Sequence, residues 1–169
     1  DSPTTYDDEG NGVGNYCTWN PLDKSNGQIL FNGALDVGAS VDSWKQAKGT
    51  IGINSGKYYW EITCISSTRN NAIIGISDDT ESLATYPGGG SGYGYGSGGS
   101  TYHDGSYTSA GNAWDGDDGD VIGFAVDCDG GTIKYYINNS LQATSNISTT
   151  TTWRPAIGVY YSDSSIPKY

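Results

Sequence analysis

The stretch GDVIGFAVDCDGGTIKYYINN, residues 119–139, decides the fold. Within it, VIGFAVDC (121–128) and TIKYYIN (132–138) are rich in β-branched and aromatic residues. Asp129, Gly130 and Gly131 lie between them, and the glycines supply the backbone angles of a tight reversal. The reading is an antiparallel hairpin.

Other stretches extend the pattern. KYYWEITCI (57–65) alternates, placing Tyr58, Trp60, Ile62 and Cys64 on one face and Tyr59, Glu61, Thr63 and Ile65 on the other. AIIGIS (72–77) is a short apolar run suited to a strand buried on both faces. QILFNGALDV (28–37) predicts two short strands about an Asn32-Gly33 turn, KQAKGTIGI (45–53) a weaker strand, and WRPAIGVYY (153–161) a closing one. No stretch shows a helical period. The expected fold is all-β, an antiparallel β-sandwich, in one domain spanning residues 1–169 with 1–27 as an amino-terminal strand and loop segment packing on it.

The composition agrees and narrows the function. There are five leucines, three glutamates and no methionine, so helix formers are scarce. The 19 acidic residues against 8 basic ones give a formal charge of -11, which repels nucleic acid and anionic membranes. No apolar run approaches the ~20 residues of a membrane span. Cys17, Cys64 and Cys128 allow at most one bridge, so a disulfide scaffold is not expected.

GKYYWEITC (56–64), GYGYGSGGSTYHDG (92–105), GDVIGFAVDCDGGTIKYYINN and RPAIGVYYS (154–162) together resemble the successive blocks of a SPRY domain. The resemblance implies a concanavalin A-like jelly roll of two antiparallel sheets. One departure is Asn138-Asn139-Ser140 where Asn-Gly is usual, so that turn must be made differently. DSPTTY (1–6), NYCTWNPLD (15–23) and WKQAKGTIGINSGKYYWEIT (44–63) resemble more particularly the SPRY-like modules of bacteriophage tail-fibre and other virion proteins. This implies a module cut from a longer virion protein, extracellular on the particle, without catalysis, that contacts the host or other virion subunits. A trimeric parent protein would be in keeping with it.

Catalytic signatures are weak. A sandwich glycosidase needs carboxylates about 5 to 9.5 Å apart in a cleft. Glu61 is followed on its face by Thr63 and Ile65, and of the pair Asp127 and Asp129 the second belongs to a turn. His103, the sole imidazole, sits in the turn signal YHDG, and three dispersed cysteines show no zinc-ligand spacing. No catalytic residue and no cofactor are expected. Calcium is the one metal with a candidate loop, DGDDGD (115–120), whose Asp115, Asp117, Asp118 and Asp120 lack the EF-hand order; DDEGNG (7–12) is a second loose match.

Binding signals are stronger. Trp60, Phe124 and Trp153 read as core, whereas Trp114 stands between Ala113 and Asp115 in a polar loop and is expected to expose its ring. Tyr86, Tyr93, Tyr95, Tyr102 and Tyr107 fall near it in sequence, and tyrosine offers an amphipathic contact at low entropic cost. The expected ligand residues are Tyr93, Tyr95, Tyr102, His103, Trp114 and Asp115. GGGSGYGYGSGGSTYHDG (88–105) resembles a linker by composition, but strands on both sides of it must share one sandwich. GYGY is then a strand, GSGG a turn and STYHDG the return, with Tyr93 and Tyr95 on one face.

The function expected first is recognition of a host-surface glycan or protein through loops at one end of the sandwich. A structural decoration or spacer domain is the alternative. A peptide-binding SPRY domain and a glycan hydrolase follow.

Overall fold

A computed structural model describes residues 16–65, 72–114 and 119–160. The described residues carry thirteen strands and a single 3-10 turn, with no α-helix. In chain order the strands are β1 (Trp19–Lys24), β2 (Gln28–Phe31), β3 (Asp36–Ala39), β4 (Lys45–Gly49), β5 (Lys57–Thr63) and β6 (Ala72–Ser77). Next come β7 (Tyr93–Gly96), β8 (Ser100–His103) and β9 (Ser106–Ser109). The last four are β10 (Val121–Asp127), β11 (Thr132–Ile137), β12 (Ser140–Asn146) and β13 (Arg154–Val159).

They form two antiparallel sheets facing each other. One has seven strands in the order β1-β4-β13-β6-β7-β8-β9, the other four in the order β12-β11-β10-β5, and β2 pairs with β3 apart from both. The expected strands at 57–63, 72–77, 121–127, 132–137 and 154–159 are present, and β6 is buried at all six positions. Strand β5 alternates exposed and half-buried residues with Tyr58, Trp60 and Ile62 turned inward. Apolar burial of Ile74, Ile157, Ile122, Phe124 and Ile133 builds the core between the sheets, each such side chain contributing about 1.5–3 kcal/mol. Tyr95 and Tyr135 meet across it, stacked with centroids 5.4 Å apart.

Two turns differ from their expected form. The β2–β3 connection runs over four residues, because Ala34 as well as Asn32 and Gly33 adopts positive φ before Phe31 faces Asp36. The β11–β12 turn is closed by Asn138 and Asn139, at φ 48° and 66°, with Ile137 opposite Ser140. Asparagine tolerates the left-handed region, so this two-residue turn forms without glycine.

The glycine run is folded structure. Ile74 pairs with Tyr95 and Gly75 with Gly94, while Tyr95 pairs with Thr101 across the turn. On the outer face of the large sheet the segment 78–92 lies directly on the strands. A methyl at Gly94 would strike the Pro87 carbonyl oxygen, and one at Gly158 would approach Tyr86 Cβ at 2.6 Å. The two glycines thus mark where a second layer of backbone rests on the sheet. That layer buries Gln46 and Lys48, whose alternation alone would place them in solvent. Lys48 Nζ donates to the carbonyls of Asp78 (2.7 Å) and Glu81 (3.1 Å), and Gln46 Nε2 to that of Ser82 (3.3 Å). Glu81 Oε1 accepts from the backbone N–H groups of Gly88 (3.1 Å) and Gly90 (2.9 Å), and its other oxygen accepts from Ser77 Oγ.

Candidate functional site

The residues expected to bind ligand divide between core and surface. Tyr95 is fully buried, its hydroxyl donating to the Asn112 carbonyl at 2.7 Å, and burial pushes its phenol up to about 12. Trp114 is also buried, which corrects the expectation of an exposed ring. The loop after β9 is pinned to the sandwich by Trp114 N–H donating to Ser97 O (3.0 Å) and Asn112 N–H to Gln142 Oε1 (3.0 Å). Those bonds carry the indole into the inter-sheet core, so neither Tyr95 nor Trp114 faces a ligand. Asp115, Asp117 and Asp118 lie outside the described residues, as do Asp7, Glu9 and Asn11. Asp120 accepts from Asn138 Nδ2 at 2.9 Å, tying the loop end to the β11–β12 turn. Among the described residues no cluster of three metal-ligating side chains occurs.

Tyr93, Tyr102 and His103 are brought together at the β7–β8–β9 edge. Tyr93 and His103 occupy facing positions of β7 and β8, and their rings stack at 4.0 Å. Trp153 meets Tyr93 edge-on from within at 5.6 Å. His103 Nδ1 lies 2.9 Å from the Gly92 carbonyl, which only accepts, so Nδ1 carries the proton. Nε2 then faces the Asp104 carboxylate at 3.4 Å. Burial, and then the Asp104 charge, push the Tyr93 phenol up from its ordinary value. These rings border a cleft of about 280 Å³ between β8–β9 and β12, walled by the hydroxyls of Thr101, Ser106, Thr108 and Ser145 and the amide of Asn146.

On the outer face of the same edge the rings form a row. Trp44 meets Tyr86 (5.1 Å), Tyr86 meets Tyr102 (5.5 Å) and Tyr102 meets Tyr107 (6.0 Å). Tyr107 is 72% exposed, and the other three are half-buried. Sequence proximity indicated the tyrosines; Trp44 joins them only because segment 78–92 folds back beside it. Of the carboxylates considered for hydrolysis, Asp127 accepts from Gly130 N–H and pairs with Lys57 at 3.1 Å, Asp129 accepts from Gly56 N–H, and Glu61 accepts from the Tyr59 hydroxyl at 2.7 Å.

The SPRY domain family matches residues 57–166, well over half of the chain. The chain belongs to the SPRY family. SPRY domains are generally protein-binding, non-enzymatic modules. Solved SPRY structures share the fold. The SPRY domain of human HERC1 superposes with a TM-score of 0.74 at 17% identity, covering 89% of this chain and 94% of that one. The TRIM65 PSpry domain gives 0.66 at 15% identity, with 87% and 90% covered. Stonustoxin gives 0.67 at 18%, with 83% of this chain but 25% of that chain covered. The aromatic row and the hydroxyl-lined cleft are thus two faces of one edge of a SPRY sandwich.

Proposed function

We propose that this SPRY domain is the recognition module of a bacteriophage virion or tail-fibre protein, binding a host-surface glycan or protein through the β8–β9 edge. The row Trp44, Tyr86, Tyr102 and Tyr107 carries the reading. Linked rings with half-exposed faces offer stacking surface to the apolar face of a sugar or to a partner's side chains, and their phenols supply donors at the rim. The cleft behind them adds hydroxyls suited to a polyol. The bacteriophage context is supported by the resemblance of residues 1–6, 15–23 and 44–63 to virion modules.

The test is a glycan array and host-cell adsorption assay with the full chain, beside Tyr102→Ala and Tyr107→Ala. Binding lost in both variants, and phage adsorption blocked by the free domain, are expected. A wild-type chain that binds neither glycan nor host cell would reject the proposal.

A further inference from the structure

The opposite flank of the sandwich, between β1 and β5, has a different chemistry. Among the described residues β5 ends its sheet and pairs only with β10. Directly opposed residues of an antiparallel pair alternately exchange two hydrogen bonds or none. Cys64 N–H donates to Asp120 O and Cys128 N–H to Gly56 O, so the even-numbered positions of β5 bond to β10. The N–H and C=O groups of Tyr59, Glu61 and Thr63 therefore point away from the sheet.

Beside this edge runs a groove of about 500 Å³, within the range of formed binding sites. Its floor includes Trp19, Ile51, Ile53 and Ile62, and Tyr16, Leu35 and Ile65 stand exposed at its rim. The charged side chains lining it, Asp36 and Glu61, are both acidic.

We propose that this flank receives an extended segment of a partner protein as an added strand on β5, with apolar residues at alternate positions and lysine or arginine between them. The outward backbone groups of three alternate residues call for a strand, since a sugar or a helix would leave that ladder unused. In such a strand every second side chain turns inward, over Ile51, Ile53 and Ile62, where apolar residues are required. The intervening side chains lie beside Glu61, where a cation is favoured. A second copy of this chain is disfavoured by its charge of -11.

The experiment titrates the full chain with a blocked heptapeptide alternating valine and lysine. Tryptophan fluorescence reads binding, and the alkylation rate of Cys17, an exposed groove residue, reads location. Saturable binding that slows Cys17 alkylation is expected. It should weaken about tenfold or more when the peptide nitrogens facing β5 are methylated, and similarly with Glu61→Lys. Thr63→Pro removes one outward N–H while leaving the bonds to β10, and should weaken binding as well. Glu61→Lys keeps the test valid if that variant does not fold.

Equal affinity for the methylated peptide, an equally tight glutamate–valine peptide, or an unchanged Cys17 rate would overturn the proposal. So would a Cys17 that resists alkylation before peptide is added. That result would assign the groove to residues 1–15 of the same chain, or to a second copy if resistance rises with protein concentration.

Discussion

The rings of Tyr93 and His103 stack with centroids 4.0 Å apart and planes 8° from parallel, which fixes the mouth of the polar cleft. Tyr93 is held from behind by the edge of Trp153, whose indole N–H donates to Ser148 O at 3.0 Å. Removing the Tyr93 ring takes support from both neighbours. Tyr93→Ala is expected to lower stability by about 2–3 kcal/mol in urea unfolding. Tyr107→Ala, at an exposed ring, should stay within about 0.5 kcal/mol. Binding lost in Tyr107→Ala would then report recognition, and equal destabilisation by both changes would refute this division of roles.

How far the sequence shows this arrangement depends on what alternation reports. Period-two patterning distinguishes the two faces of a strand, and it places Trp60 and Phe124 correctly because one face of each strand meets the core. It does not report what lies over the other face. Gln46 and Lys48 alternate like solvent residues yet are buried under segment 78–92, a layer that the sequence marks only through glycines at its close approaches, such as Gly88, Gly94 and Gly158. Trp114 belongs to no strand, so no pattern assigns it a side. Strands β9 and β12 escape the reading because they are edge strands with polar sequences, such as SLQATSN in β12, and β1 is expected only as an unplaced strand within residues 1–27. Of the expected ligand residues, Tyr93, Tyr102 and His103 reach a common edge, and Tyr95 is core because its register places it opposite Ile74.

Glu81 holds the covering segment to the sheet through three acceptor bonds, from Ser77 and from the backbones of Gly88 and Gly90. Truncation would leave buried donors unpaired, at about 1–3 kcal/mol each for those that find no water. Glu81→Ala should cost about 3 kcal/mol or more in chemical denaturation. Amide exchange at Gly88 and Gly90 should quicken beyond that at β6. Uniform quickening across the sheet would argue against a locally anchored layer.

Gly94→Ala tests the same layer from below. The added methyl meets the Pro87 carbonyl oxygen and Ile73 Cγ2. Both belong to packed structure, so overpacking of about 1–3 kcal/mol is expected. Gly33→Ala is the control, because nothing lies within 4 Å of a methyl there and its penalty arises from φ of 66° alone. A melting temperature unchanged in Gly94→Ala would show that the layer yields freely.

The pH profile should fall at both ends. Asp127 is held below the usual carboxylate range by the Gly130 N–H bond and then by Lys57. Its contribution is present above the unfolded carboxyl value and is lost as pH falls through the lower folded one. Tyr95 works in the opposite sense, because burial raises its phenol from 10.0 to about 12. Its contribution is complete below the unfolded value and is lost as pH rises from about 10 through 12. Tyr95→Phe should flatten the alkaline limb, at the cost of the bond to Asn112 O. An alkaline limb of the same steepness in that variant would contradict the assignment.

Thiol chemistry offers an independent check on the packing. Cys17 is exposed, whereas Cys64 and Cys128 are each 1% exposed. Burial, and then the carboxylates of Asp129 and Asp127, push the Cys128 thiol up and disfavour the reactive thiolate. One thiol should therefore react quickly in the native chain and all three in denaturant. Cys17→Ser should abolish the fast phase and leave the slow reaction unchanged. If Cys128→Ser removed it instead, the turn between β10 and β11 would have to open far more readily than its bonds to Gly56 and Ile147 imply.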